Sequence, residues 1–280
     1  MSILHDAGPR LRVEDFRLLR DLVNSFCGIA FQDDAMFVVE RRLRERLQAL
    51  GLPDYAAYHQ YLRYHPDAHA ELERAVDALT TNETYFFREP QQFDVFTDKL
   101  VPMILEEKKG LKDIKIWSAA SSSGEEPYTI SMLLREKYPQ VRVDIVGSDL
   151  SSAVIEAAKR GVYSSYSVRN VPEMYMKKYF MQRGQDYLLS ASIKASVRYK
   201  SVNLVEKQGG VSDLRGLDII FCRNVLIYFD EKAKQKAVSF LYDSLRPGGY
   251  LIIGSSESLH SVTRAFKPTT INKVVVYQRV

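Results

Sequence analysis

Up to about Leu79 the apolar positions recur at intervals of three and four: Phe16, Leu19 and Val23 form one set, and Met36, Val39, Leu43, Leu47 and Leu50 another. That is the period of amphipathic helices. Gly28, the pair Gly51 and Pro53, and Pro66 interrupt the stretch, so it predicts four short helices. From about Ile114 the pattern changes. Compact apolar runs at 114–120, 141–146, 197–202, 217–221, 250–253 and 274–277 predict strands, and longer periodic stretches at 125–138, 151–160 and 231–245 predict helices between them. Such alternation implies an α/β fold with a mainly parallel sheet and helices on both faces, because parallel crossovers need a helix-sized connection. A ligand is expected at the carboxyl ends of the first strands, near the topological switch point. The chain thus divides into a helical part, 1–79, and an α/β part, 80–280. Residues at about 170–196 break the alternation: Tyr187-Leu-Leu-Ser and Ile193 predict short strands around a turn at Ser190 to Ser192, a small β insert. It reads either as a long crossover loop or as a partner-binding excursion.

Composition narrows the class. Of 280 residues, 46% are apolar and 26% charged, which excludes disordered and collagen-like chains. No run approaches the ~18 apolar residues that cross a bilayer, and the first residues carry no apolar signal region. The expectation is a cytoplasmic protein without membrane insertion. Cys27 and Cys222 form no C-x-x-C pair, so neither a disulfide framework nor a metal site is expected. Residues 1–79 hold 10 Lys/Arg against 13 Asp/Glu, a net of −3, and the remainder has a net of +7. The acidic N-terminal part nevertheless contains a local basic cluster, Arg41, Arg42, Arg44 and Arg46. On a helical wheel these flank the Met36 to Leu50 stripe, which fits a defined contact. The alternative is a solvated face with Glu45 pairing locally.

Four stretches carry chemistry. Residues 118–128, Ser-Ala-Ala-Ser-Ser-Ser-Gly-Glu-Glu-Pro-Tyr, follow a strand and open a helix, where nucleotide-binding folds bring backbone to a ligand. The loop lacks the glycines of the dinucleotide fingerprint and the lysine of a phosphate loop, which disfavours di- and triphosphates. Small side chains beside Glu125 and Glu126 suit an amine or sulfonium ligand such as S-adenosylmethionine, unless the glutamates only complement the helix dipole. Asp149 lies 25 residues beyond Gly124, where an acidic residue accepts from ribose hydroxyls, or else caps the next helix. In 221–230, Arg223 and Asn224 are polar beside a buried strand, and Tyr228 follows four residues later. The Asp/Asn-Pro-Pro-Tyr pattern of N-methyltransferases is absent. In 81–89, Asn82, Thr84 and Arg88 stand at the junction of the two parts, a common place for ligand sites.

The segments TNETYFFRE, SAASSSGEEPY, FCRNVLIYFD and LRPGGYLIIGSSES closely resemble those of the CheR family, the S-adenosylmethionine-dependent methyltransferases that esterify glutamates on bacterial chemoreceptors. The resemblance runs over essentially the whole chain. It implies a class I, Rossmann-like methyltransferase fold with a small all-helical N-terminal domain and a small β insert. It also implies a cofactor pocket lined by Asn82, Thr84, Arg88, Glu126, Asp149, Asn203, Leu204, Arg223 and Asn224, with S-adenosylhomocysteine as product. Choosing Glu126 over Glu125 rests on the resemblance alone. Arg88 or Tyr228 is expected to aim the incoming carboxylate. The implied partner is an acidic chemoreceptor methylation helix facing Arg41, Arg42, Arg44 and Arg46, with a receptor C-terminal tail on the insert, and the chain is expected to be monomeric. Two other classes use the same fold: a nucleic-acid methyltransferase, which the net −3 of the N-terminal part counts against, and a non-catalytic cofactor-sensing or scaffold module.

Overall fold

The computed structural model describes residues 8–80, 83–110, 112–206 and 213–280. They form two compact units, one from the described residues up to position 80 joined by Tyr228–Ala233, the other from the rest.

The first unit contains the four helices that the periodicity predicts: α1 (Val13–Cys27), α2 (Met36–Leu50), α3 (Tyr55–Tyr64) and α4 (Ala68–Leu79). Their apolar stripes supply its core, in which Phe16, Leu19, Val23, Val39, Leu43, Leu47, Tyr58, Leu62, Leu72 and Val76 are buried. Helix α3 starts where the Asp54 side chain accepts the Ala57 amide at 2.8 Å, a cap worth about 1 kcal/mol. Tyr228–Ala233 joins this unit through a bridge between Ile29 and Phe229, the Ala30 amide donating to the Tyr228 carbonyl at 2.9 Å, and Asn24 Nδ2 donating to Asp230 Oδ2 at 2.9 Å.

The remaining elements are α5 (Pro90–Val95), a π turn at Phe96–Leu100, α6 (Val101–Glu107), β1 (Asp113–Ala119), α7 (Glu125–Lys137), β2 (Arg142–Asp149), α8 (Ser152–Arg160), β3 (Val162–Tyr163), α9 (Ser165–Val168), α10 (Glu173–Tyr179), β4 (Phe180–Arg183), β5 (Asp186–Leu189), α11 (Ala191–Lys194), β6 (Val197–Ser201), β7 (Leu217–Cys222), a 3-10 turn at Leu226–Tyr228, α12 (Glu231–Ser244), β8 (Leu245–Ile253), β9 (Phe266–Ile271) and β10 (Val274–Arg279). The seven-stranded sheet has the order β6-β2-β1-β7-β8-β10-β9. Its first five strands run parallel and β10 pairs antiparallel with β8 and β9. Strand order reverses about β1, so the switch point lies between β1 and β7.

Two details correct the sequence reading. The insert is a separate three-stranded sheet, β3-β5-β4. Its hairpin turns at Gly184, between Arg183 and Asp186, and Ser190 to Ser192 instead lead into α11. Glycine at φ +64 forms that turn where the serines do not. The α5 to α6 segment also carries no predicted helix. Pro102 lacks an amide there, and the π turn just before it shifts the hydrogen-bond ladder. The Thr97 carbonyl inside that turn is taken by the Tyr138 hydroxyl at 2.5 Å.

Candidate functional site

The first loop leaves β1 through two left-handed non-glycine residues, Ala120 (φ 55) and Ser122 (φ 48), and enters α7 through Gly124 (φ 91). A Cβ at Gly124 would lie 2.4 Å from the Tyr199 hydroxyl and 2.8 Å from Ala158 Cβ, so both conformation and space demand glycine. The loop is pinned to the end of β2. The Ser121 amide donates to the Ser148 carbonyl and the Ser122 amide to Asp149 Oδ2, both at 2.8 Å. Asp149 Oδ1 accepts the Ser151 amide at 3.1 Å, while Ser151, not Asp149, caps α8 by accepting from Val154. The half-buried Asp149 carboxylate therefore stands at the carboxyl end of β2, beside the loop.

The two glutamates at the start of α7 differ in environment. Glu126 accepts Ser118 Oγ at 2.6 Å and Arg223 Nη1 at 2.9 Å. Glu125 is fully buried and accepts from Ser123 Oγ at 2.8 Å. Burial pushes its carboxyl up, with the Ser123 hydroxyl opposing.

Arg223, at the end of β7, gathers the distant motifs. Its buried guanidinium reaches Glu126, donates to the Arg88 carbonyl at 2.7 Å, lies 3.3 Å from Glu89 Oε2 and sits over the Phe93 ring. Burial would raise the Glu89 carboxyl, but Arg223 and the Ser255 amide bring it below the ordinary glutamate value. Phe87 and Glu89 both have φ 57, and each left-handed residue of this kind costs about 1 kcal/mol or more unless its surroundings fix it. The Phe86 and Phe87 rings are buried below the segment, and the Phe87 amide donates to Thr129 Oγ1 at 3.2 Å. Arg88 extends to the Glu83 carbonyl at 2.9 Å. Nearby, the Arg169 guanidinium lies 3.6 Å from the ring centroids of both Tyr85 and Tyr166, whose planes are nearly perpendicular. Thr84 is half-buried; Asn82 lies outside the described residues.

Asn203 and Leu204 follow β6 and are buried, and Asn203 Oδ1 accepts the Val205 amide at 3.2 Å. Asn224 is left-handed (φ 59) at the end of β7, and its amide donates to Glu257. Glu257 carries no chemical signal in the sequence beyond its place in GSSES. Tyr228 belongs to the helical unit and is 44% exposed.

Three of the four α2 arginines have partners inside their own unit. Arg46 forms a bidentate pair with the fully buried Glu71, at 2.9 and 2.7 Å. The Tyr58 hydroxyl adds a third bond to that carboxylate at 2.9 Å. Arg42 donates to the Leu79 carbonyl at 2.5 Å, and Arg44 to Glu40 at 2.9 Å. Arg41 is exposed. The local pairing expected of Glu45 is made by Glu40 and Arg44.

The residues fit S-adenosylmethionine by their donors and acceptors. Carboxylates, rather than lysines, gather at the carboxyl ends of β1, β2 and β7, which suits an amine, a sulfonium and a ribose. Ser121 Oγ and Arg223 Nε are buried there without protein partners, a polar lining that a polar ligand would satisfy. A groove of about 790 Å³ lined by Lys112, Asp113, Lys115, Arg142, Asp144 and Arg198 opens at the opposite, amino-terminal ends of the strands, away from every motif above.

Residues 82–275 match the family described as CheR methyltransferase, SAM binding domain, and residues 14–80 match CheR methyltransferase, all-alpha domain. The chain is 36% identical to chemotaxis protein methyltransferase 2 of Vibrio cholerae, over 95% of this chain and 92% of that protein. It is 34% identical to the chemotaxis protein methyltransferase of Borreliella burgdorferi, over 87% of each. With chemotaxis protein methyltransferase 1 of Pseudomonas aeruginosa the identity is 31%, over 94% and 97%.

Proposed function

The chain belongs to the CheR methyltransferase family, and from that premise we propose that it transfers the methyl group of S-adenosylmethionine to glutamate side chains of bacterial chemoreceptors, forming methyl esters. The observation that supports this best is the buried Arg223, which joins Glu126, Glu89 and the Arg88 carbonyl in one cluster at the strand ends.

S-adenosylmethionine supplies an electrophilic methyl group on a sulfonium. Asp149 would hold the ribose hydroxyls, the 121–124 turn and Glu126 the amino-acid end, and Asn203 with Leu204 the adenine. Thr84, Arg88, Arg223 and Asn224 complete the proposed lining, together with Asn82. The protein needs no general base: an unperturbed glutamate has a pKa of ~4.3, so the acceptor is already a carboxylate near neutral pH. Its task is orientation and exclusion of water, and holding reactants in attack geometry is worth ~7–11 kcal/mol. Arg88 or Tyr228 aims the carboxylate. A full bidentate pair would stabilise the ground state as much as the transition state, so one orienting bond serves better. Arg41 meets the acidic receptor helix, and the open edge of β4 receives an extended receptor tail.

Incubation with methyl-labelled S-adenosylmethionine and chemoreceptor-bearing membranes tests the proposal. Label should enter the receptor band and leave it under mild alkali, as esters do. Label in added RNA or DNA, or none in the receptor, would overturn it.

A further inference from the structure

The segment after β8, Gly254-Ser-Ser-Glu257-Ser, meets the end of β7 at Glu257. Glu257 is half-buried, and its carboxylate accepts four main-chain amides. Oε2 takes Gly254 at 2.6 Å and Asn224 at 2.8 Å; Oε1 takes Val225 at 3.1 Å and Leu226 at 2.8 Å. A carboxylate offers about four lone-pair sites, so these bonds match its capacity.

Three of the donors are consecutive residues leaving β7. With Asn224 left-handed, successive amides turn to one side and form the concave arrangement that elsewhere captures anions. Here the chain supplies the anion from the next strand's loop. Bonds to an ionised acceptor are about twice as strong as neutral ones, and the fourth donor, Gly254, closes Glu257's own turn. A Cβ at Gly254 would lie 2.8 Å from both Asn224 Nδ2 and Glu257 Oε2, so the Asn224 side chain also packs against this turn.

We infer that Glu257 is a positioning residue for methyl transfer: its carboxylate fixes the backbone of Asn224, Val225 and Leu226 at the end of β7 and, through it, the side chain of Asn224. The inference rests on the function proposed above. The requirement is for a full carboxylate. Glutamine has the same shape, but its amide nitrogen would face two amide donors that need an acceptor.

The test is Glu257→Gln, assayed at a temperature where circular dichroism shows it folded. Its kcat/KM for S-adenosylmethionine should fall by about tenfold or more, with KM for receptor unchanged. A double-mutant cycle with Asn224→Ala distinguishes positioning from general stability. If Glu257 acts through Asn224, adding Glu257→Gln to Asn224→Ala lowers kcat/KM little further. Fully additive losses, or a folded Glu257→Gln with wild-type kinetics, would overturn the inference. Should that variant not fold, Glu257→Asp, which keeps the charge and shortens its reach, enters the same cycle with the same outcomes. A wild type that methylates no receptor would instead overturn the proposed function, and the inference with it.

Discussion

Asp149 combines two duties at one carboxylate. Its bonds to the Ser122 and Ser151 amides shape the first loop, and the proposed ribose contact uses the same group. Asp149→Ala should therefore weaken S-adenosylhomocysteine binding by at least the ~1.5–3 kcal/mol of a charged hydrogen bond. Calorimetric titration measures this, and an unchanged affinity would remove Asp149 from the pocket. Arg88 and Tyr228 make a different prediction. If either aims the acceptor carboxylate, Arg88→Ala or Tyr228→Phe lowers kcat with little change in cofactor affinity; normal turnover in both would end that role. The places of Asp149 and Arg223 at strand ends were legible from the sequence, because a polar residue at the end of an apolar strand is conspicuous. Glu257 was not, since its ligands are main-chain amides that folding alone brings together.

Helix α2 shows how pairing across helices alters a sequence reading. The periodicity placed its apolar stripe well, since Val39, Leu43 and Leu47 are buried. It does not reveal that Glu71, on α4, folds against Arg46. Burial raises the Glu71 carboxyl, yet Arg46, Tyr58 and Arg74 together hold it below its ordinary value. A carboxyl lowered in the folded state contributes stability above its unfolded pKa and loses it as pH falls through the folded one. Arg46→Ala should destabilise the helical unit by up to about 3 kcal/mol, because it removes the bidentate partner of a buried carboxylate and leaves only Tyr58 and Arg74 to hold it. Urea unfolding at neutral pH should show this. The difference from wild type should shrink under acid, below about pH 4. Arg41 is the fairer probe of recognition. Arg41→Glu should raise KM for receptor by a few-fold, as expected of an exposed pair worth ~0.2–1 kcal/mol, while the melting temperature and cofactor affinity stay put. Normal receptor kinetics would return recognition to the insert or to the α/β unit.

Across the whole chain, the α/β alternation implied the parallel sheet, while its strand order and switch point come from the fold. Strand β9 escaped because Lys267 to Thr270 are exposed on both of its faces and its residues, Phe-Lys-Pro-Thr-Thr-Ile, do not form an apolar run. The association of Tyr228–Ala233 with the helical unit depends on long-range bonds such as Asn24 to Asp230, which no local pattern encodes. The central claim concerns the atom that receives the methyl group. Mass spectrometry of receptor peptides, after incubation with enzyme and S-adenosylmethionine, reads that atom directly. The account predicts one added methyl on glutamate side chains, removed by mild alkali; an alkali-stable methyl on lysine, arginine or nucleic acid, with glutamates unmodified, would contradict it.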